Sequence, residues 1–202
     1  MAGAGKRKSV KTAAQQRWTK GKFRSQQNHV PSQSSPSAVP AGCRIGFGND
    51  VHRLVARRRL ILGGVKIPFG KGPMGHSDGD ALSHAVCDAL LGAAALGDIG
   101  RHFPDNSPRW KDASSLTFLR HVSGLLSKSG FAILNIDSTI ELEKPRLAPY
   151  VDPMRRNLAR ALGVQAEQVS VKAKSGEGIG VVGRGEAVRA EAVALIGRRP
   201  PL

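Results

Sequence analysis

Residues 50–88 hold the side chains best suited to chemistry: Asp50 and His52 in Asp50-Val51-His52, the run His76-Ser77-Asp78-Gly79-Asp80, and then His84 and Asp88. Asp50 and His52 are two apart, so on an extended strand both leave from one face and can reach a single ion. His84 would supply a third ligand. Catalytic zinc takes three protein ligands from His and carboxylate and keeps a fourth position for water or a substrate oxygen. The reading is a metal centre of Asp50, His52 and His84, with His84 on a helix. That helix is expected to start near Ser77, whose hydroxyl caps it while Asp80 answers three residues on. Asp80, His84 and Asp88 are spaced by four and share a face, so a neighbouring Asp can accept the other ring N–H of His84 and fix its tautomer. Leu82, Ala85, Val86, Ala89 and Ala93 give the apolar surface. The competing reading is a solvated helix face with one core histidine, which Asp-x-His alone does not exclude. A polar stripe facing strands favours the metal.

Anion-binding chemistry is suggested further along. Lys174-Ser175-Gly176-Glu177-Gly178-Ile179-Gly180-Val181-Val182-Gly183-Arg184 contains Gly178-x-Gly180-x-x-Gly183. A dinucleotide fingerprint would need that turn to open a crossover helix with an acid about 20 residues on, and here the chain is almost finished. A phosphate-contacting loop fits better: glycines admit an anion to backbone N–H groups, Lys174 and Arg184 add charge, Ser175 a donor, and Glu177 a ligand for a hard cation such as Mg²⁺. A flexible hairpin with solvated charges is the alternative. Lys144-Pro145-Arg146 is a second anion clamp, its proline stiffening the turn that aims Arg146. Arg57-Arg58-Arg59 reads as a solvated turn and is assigned no role.

The elements that must position these groups are legible in outline. Arg44–Gly48 reads as a short strand leading into Asp-x-His, and Leu60–Leu62 with Val65–Ile67 as a hairpin around Gly63-Gly64. The metal helix runs to about Leu96. Gly97 to Asp105 is loop, with Asp98 and Asp105 able to hold sugar hydroxyls. Helices are expected over Ala113–Ser127 and Asp152–Leu162, and strands over Phe131–Leu142, Val169–Ala173 and Ala187–Ile196, the last alanine-rich enough to be helical on propensity. This order predicts an α+β fold, a two-layer mixed β-sheet with helices on one face.

The 202 residues carry a net charge of +16, concentrated at the start: residues 1–49 hold nine Lys/Arg and no Asp or Glu. Residues 1–41, rich in Gln, Ser, Pro and basic residues, are expected to be a disordered extension ahead of a domain spanning 42–202. A transit peptide, a nucleic-acid or membrane-surface arm and a dispensable extension all suit that composition. No apolar run suits a signal peptide or a membrane span, and Cys43 and Cys87 make no disulfide framework. The expectation is a soluble intracellular protein, in a bacterial cytoplasm, or in a plastid stroma if the extension is a transit peptide.

From Arg44 to about Gly197 the chain resembles the 2-C-methyl-D-erythritol 2,4-cyclodiphosphate synthase family of the non-mevalonate isoprenoid pathway. The resemblance rests on Asp50-Val51-His52, His76-Ser77-Asp78-Gly79-Asp80, the block from Asp88 through Leu90-Leu91-Gly92 to Gly97-Asp98-Ile99-Gly100, and Phe103-Pro104-Asp105, in that order and spacing. It implies a homotrimer with active sites between neighbouring subunits, acting on a small-molecule substrate and not on nucleic acid or membrane. The reaction implied is conversion of 4-diphosphocytidyl-2-C-methyl-D-erythritol 2-phosphate to the cyclic diphosphate and CMP. Asp50, His52 and His84 match the ligands of zinc or another divalent transition metal. His76 and Ser77 match the loop over the substrate phosphates, His76 placed to stabilise the transition state. Asp98, Gly100 and Asp105 match the methylerythritol contacts. Arg146, within Leu142–Ala148, matches the cytidine and diphosphate segment, which Lys174 to Glu177 complete: Ser175 at a transition-state-stabilising position, Glu177 at the ligand of Mg²⁺ or Mn²⁺. Arg184 matches a phosphate-contacting arginine, and Ile99, Phe103, Leu147, Gly176 and Val181 fill out the substrate-binding set. Asn49 replaces a usual aromatic residue, and Lys174-Ser175-Gly176-Glu177 replaces a segment often rich in threonine. Two readings compete with this one: a zinc-dependent phosphohydrolase using the same triad to activate water, and a nucleic-acid-binding protein in which the basic extension is the active part.

Overall fold

Small residues alternating with large ones set the first strand. The computed structural model describes residues 42–199; the extension over 1–41, and with it the choice among its three readings, lies outside the described residues. In β1 (Arg44–Ala56), Gly46 and Gly48 are buried on one face while Ile45, Phe47 and Val51 stand exposed on the other. The strand does not stop at Gly48. Its ladder pairs every residue from Arg44 to Arg53, so Asp50 and His52 sit inside a sheet and not at its end.

The hairpin of β2 (Leu60–Leu62) and β3 (Val65–Ile67) turns on Gly63 and Gly64, both at positive φ, as expected. A strand not anticipated, β4 (Lys71–Pro73), then pairs with Leu54–Ala56 of β1. α1 (Ala81–Ala93) is shorter than expected at both ends. Its N-cap is Asp80 and not Ser77, because the Asp80 carboxylate accepts the Ser83 N–H at 3.1 Å. The loop after it contains a four-residue helix, α2 (Ile99–His102). α3 (Ser115–Lys128), β5 (Phe131–Glu141) and α4 (Val151–Leu162) follow, α4 ending on left-handed Gly163. β6 (Val169–Lys174), a short α5 (Gly180–Gly183) and β7 (Ala187–Arg198) complete the chain. In β7, Val188, Ala190, Ala192, Ala194 and Ile196 are all buried, a period of two that overrides the helix propensity of its alanines.

The main sheet has the order β4-β1-β7-β5-β6, antiparallel except for β5 and β6, which run parallel on either side of the α4 crossover. This is the mixed α+β architecture anticipated. α1, buried along nearly its whole length, lies on β1 and β7, with α3 beside it. A Cβ on Gly46 would meet the Ala89 carbonyl oxygen at 2.0 Å, and one on Gly48 the Ala85 carbonyl oxygen at 2.2 Å. Only glycine lets the strand lie this close to the helix, and that closeness presses Asp50 and His52 against His84. Among the described residues nothing covers the opposite sheet face: Ile45, Phe47, Val51 and Val193 are exposed, with Phe47 directly across from Val193. Cys43 and Cys87 are free thiols. No helix among the described residues is long and apolar enough to cross a membrane.

Candidate active site

Even-numbered residues of β1 face α1, so Asp50 and His52 meet His84 from one side. Asp50 Oδ2 lies 3.0 Å from His52 Nε2 and 2.9 Å from His84 Nδ1, and the two ring nitrogens are 3.2 Å apart. Proton accounting defines what these atoms are. His52 Nδ1 is 2.9 Å from the Met74 carbonyl oxygen, which can only accept, so the ring proton is on Nδ1 and Nε2 is bare. His84 Nε2 is 2.9 Å from Ser115 Oγ, and the Ser115 hydroxyl donates to the Asp78 carboxylate. With its hydrogen so used, Ser115 Oγ accepts, His84 Nε2 donates, and Nδ1 is bare. A carboxylate oxygen and two bare nitrogens thus converge, and only a shared proton or a cation can reconcile them. Two imidazoles and a carboxylate suit a divalent transition ion.

Burial pushes the Asp50 carboxyl up, but once a proton is shared into the cluster the hydrogen bonds and charges of His52 and His84 outweigh it and hold the group well below the usual carboxylate range. Burial pushes His52 down, yet its bond to Asp50, the Asp50 charge and the Met74 carbonyl raise it above the usual histidine value. Both shifts mark a site built for positive charge beside Asp50.

The group that orients His84 is therefore Ser115, backed by Asp78, and not an Asp of its own helix. Asp80 is fully buried and accepts from Gly63 N–H at 2.8 Å, Gly64 N–H at 2.7 Å and Ser83 Oγ at 2.8 Å, pinning the β2–β3 turn to α1. Burial raises its pKa nonetheless. Asp88 accepts the Ile99 N–H at 2.7 Å and anchors α2, and burial raises it too. Residues spaced by four share a face, but eight residues of helix span about 12 Å, so the three meet three different neighbours. Ser115 lies 31 residues past His84, and its only sequence signal is a hydroxyl at a helix start.

A cavity of about 350 Å³ opens on the triad and gathers six of the predicted contacts: His76, Ser77, Ile99, Gly100, Phe103 and Asp105. Asp98 is not in its lining; its carboxylate caps α2 by accepting the Arg101 N–H at 2.9 Å. His76 Nε2 donates to the Ser107 carbonyl at 3.2 Å, and the His76 backbone carbonyl accepts the Asp112 N–H at 2.9 Å, so the residue is held at its ring and at its backbone. Behind it Phe103 stacks on Phe118 at 4.3 Å, with Trp110 edge-on to both at 5.1 and 5.5 Å. Trp110, Phe118 and Met74 also line the cavity, and nothing in their sequence spacing marked them.

A second cavity, of about 180 Å³, shares no residue with the first. Leu142, Glu143, Arg146, Leu147, Ala148, Ala173, Lys174 and Ser175 line it. The Glu143 carboxylate accepts the Gly176 N–H at 3.1 Å and ties its two segments together. A Cβ on Gly176 would meet the Gly183 nitrogen at 2.4 Å, so the close approach of α5 requires the glycine that departs from the family pattern. Glu177, at φ +49°, accepts from the Ser175 hydroxyl. Val181 is exposed, and Arg184 donates to both oxygens of Glu186 at 2.9 and 3.1 Å. Gly178 to Gly183 form one short turn feeding β7, with no crossover helix, as the rejection of a dinucleotide fingerprint requires.

The YgbB family matches residues 43–197. The chain is 56% identical over 153 residues to the 2-C-methyl-D-erythritol 2,4-cyclodiphosphate synthase of Syntrophomonas wolfei, covering 76% of this chain and 98% of that one. Its fold is similar to the bifunctional IspDF from Campylobacter jejuni, with a TM-score of 0.74 and 35% identity over 77% of this chain and 42% of that one. It is also similar to Plasmodium falciparum IspF in a CDP complex, with a TM-score of 0.70 and 33% identity over 79% and 98% of the two chains. The match runs from β1 into β7 and takes in both cavities, and the chain belongs to the YgbB family of 2-C-methyl-D-erythritol 2,4-cyclodiphosphate synthases.

Proposed function

We propose that the two cavities together close the ring of 4-diphosphocytidyl-2-C-methyl-D-erythritol 2-phosphate. An oxygen of the 2-phosphate attacks the β-phosphorus, the bond from that phosphorus to the α,β-bridging oxygen breaks, and CMP leaves with the bridging oxygen. The observation that supports this best is the convergence of Asp50 Oδ2, His52 Nε2 and His84 Nδ1 beside the His76–Ser77 loop, in a chain this similar to a named synthase. The substrate brings its own nucleophile, so no activated side chain is needed and the task is positioning and charge neutralisation. Asp50, His52 and His84 would hold zinc or another divalent transition ion, which supplies Lewis-acid neutralisation of the phosphate charge. His76, clamped by Ser107 and Asp112, turns its other edge to the phosphates, and Ser77 offers its hydroxyl. Asp105, Gly100, Ile99 and Phe103 hold the methylerythritol, together with Asp98, which precedes Ile99 in the chain. Arg146, Leu147, Gly176 and Val181 hold the cytidine end. Lys174, Ser175 and Arg184 contact phosphate, and Glu177 would hold Mg²⁺ or Mn²⁺.

We infer a homotrimer, and two observations support it. The methylerythritol and cytidine cavities share no residue, and the bare apolar face of β1 and β7 is of the kind that another copy covers. An active site between subunits joins one copy's triad cavity to its neighbour's Leu142–Ser175 cavity. Residues 42–202 hold all of these parts, and 1–41 none of them.

Single turnover in ¹⁸O-labelled water tests the reaction. Ring closure leaves both products unlabelled, because every oxygen comes from the substrate. Hydrolysis by a triad-activated water must place one solvent oxygen on a product phosphate, and label in either product would replace the cyclase reading with a phosphohydrolase.

A further inference from the structure

The Arg57-Arg58-Arg59 turn is not simply solvated. Arg57 and Arg59 are exposed, but Arg58 is half-buried and its guanidinium donates inward three times. Its Nε reaches the Pro73 carbonyl at 3.2 Å, and its Nη2 reaches the Gly75 carbonyl at 3.0 Å and the Ser77 carbonyl at 3.2 Å. Among the described residues the last two carbonyls accept from no backbone N–H. The turn that aims Arg58 is itself fixed. Arg57 takes a left-handed backbone at φ +63°, and a Cβ on Gly72 of β4 would meet the Arg59 carbonyl oxygen at 2.2 Å.

These three carbonyls bracket His76. From the segment before α3, Asp112 N–H holds the His76 carbonyl and the Ala113 carbonyl holds Asp78 N–H. Arg58 holds the loop from behind, where the space it shares with Ser77, Asp78 and Asp112 amounts to about 480 Å³. Without that fork the loop has room to retreat from the reacting phosphates. A planar guanidinium can span carbonyls that a single ammonium cannot.

The geometry points to Arg58 as a positioning residue that sets the His76–Ser77 loop at its working distance from the substrate phosphates, without touching the substrate. The inference rests on the ring-closure reading above. Metal binding is separable from it: Met74, the partner of His52, is held by its own N–H to the Arg53 carbonyl at 2.8 Å, Asp78, which backs Ser115, is held by the Ala113 carbonyl at 3.1 Å and the Ser115 N–H at 3.0 Å, and Ser77 Oγ, at 3.3 Å, is a longer contact to His84 Nε2 than Ser115 Oγ at 2.9 Å.

The test is made in the full chain. Arg58→Ala should lower kcat about 10²-fold, the cost of roughly 1 Å of misplacement, with KM and bound zinc near their unmutated values. Amide hydrogen exchange over residues 74–79 should speed up in Arg58→Ala and stay unchanged in Arg57→Ala and Arg59→Ala. Arg58→Lys, which keeps the charge, should fold, hold zinc and still lose about 10-fold in kcat. If Arg58→Ala does not fold, Arg58→Lys decides by the same readings. Unaltered kcat, a fall in kcat with unchanged exchange, or a fall that tracks lost zinc overturns the inference. The exchange measurement needs no substrate, so a failure here is distinguishable from ¹⁸O label appearing in the unmutated protein's products.

Discussion

His84→Ala is expected to abolish stoichiometric zinc and to lower turnover by at least about 10³-fold, while the protein still folds. Several kcal/mol of phosphate charge stabilisation go with the ion, and each 1.36 kcal/mol is tenfold in rate. Asp50 and His52 remain, but two residues of one strand do not make the three-ligand set that holds a catalytic ion. The fold should survive because the core of α1 is its alanines and leucines, with Leu82, Leu90 and Leu91 fully buried. Ser115→Ala gives the graded counterpart: it removes the acceptor of His84 Nε2–H at 2.9 Å and should weaken metal binding about 10–100-fold without eliminating it. Metal analysis of the purified variants, with equilibrium dialysis for Ser115→Ala, reads both. Zinc retained at one per chain in His84→Ala would make His84 a core histidine and undo the triad.

Phe47→Glu should separate the proposed trimer into single 21.4 kDa chains and remove activity, although Phe47 lies on the sheet face opposite α1 and the metal triad. Phe47 is 58% exposed in one chain, where a change to Glu would cost within about 0.5 kcal/mol. At an interface between copies, the same change would bury uncompensated negative charge against Val193 and Ile45, at several kcal/mol for each subunit. Activity would fall with assembly because, in the proposed trimer, the triad cavity and the Leu142–Ser175 cavity of one site come from different copies. Light scattering gives the mass and the ring-closure assay the activity. A monomeric unmutated protein with full turnover would exclude the shared site, and a Phe47→Glu trimer would exclude this sheet face as the interface.

The metal triad and the fold class were legible because they rest on short-range rules. Period two puts Asp50 and His52 on one face, and glycine turns, apolar periodicity and the order of strands and helices give a mixed α+β domain. The roles of His76, Ser77 and Gly100 were reached by resemblance and Asp105 already as a loop acid, and the fold gathers them at one cavity with the triad. What only the tertiary structure decided is which partner each polar group finds. Asp80 pins a turn, Asp88 anchors a helix, Ser115 orients His84, and Arg58 leaves its surface run to hold three carbonyls. The physical reason is distance along the chain. Hydrogen-bond partners 11 to 34 residues apart follow from how β1, α1 and α3 pack, and that packing turns on two glycines, Gly46 and Gly48, whose missing side chains let a strand lie against a helix. Sequence spacing fixes which face a side chain leaves from, but not what that face will meet.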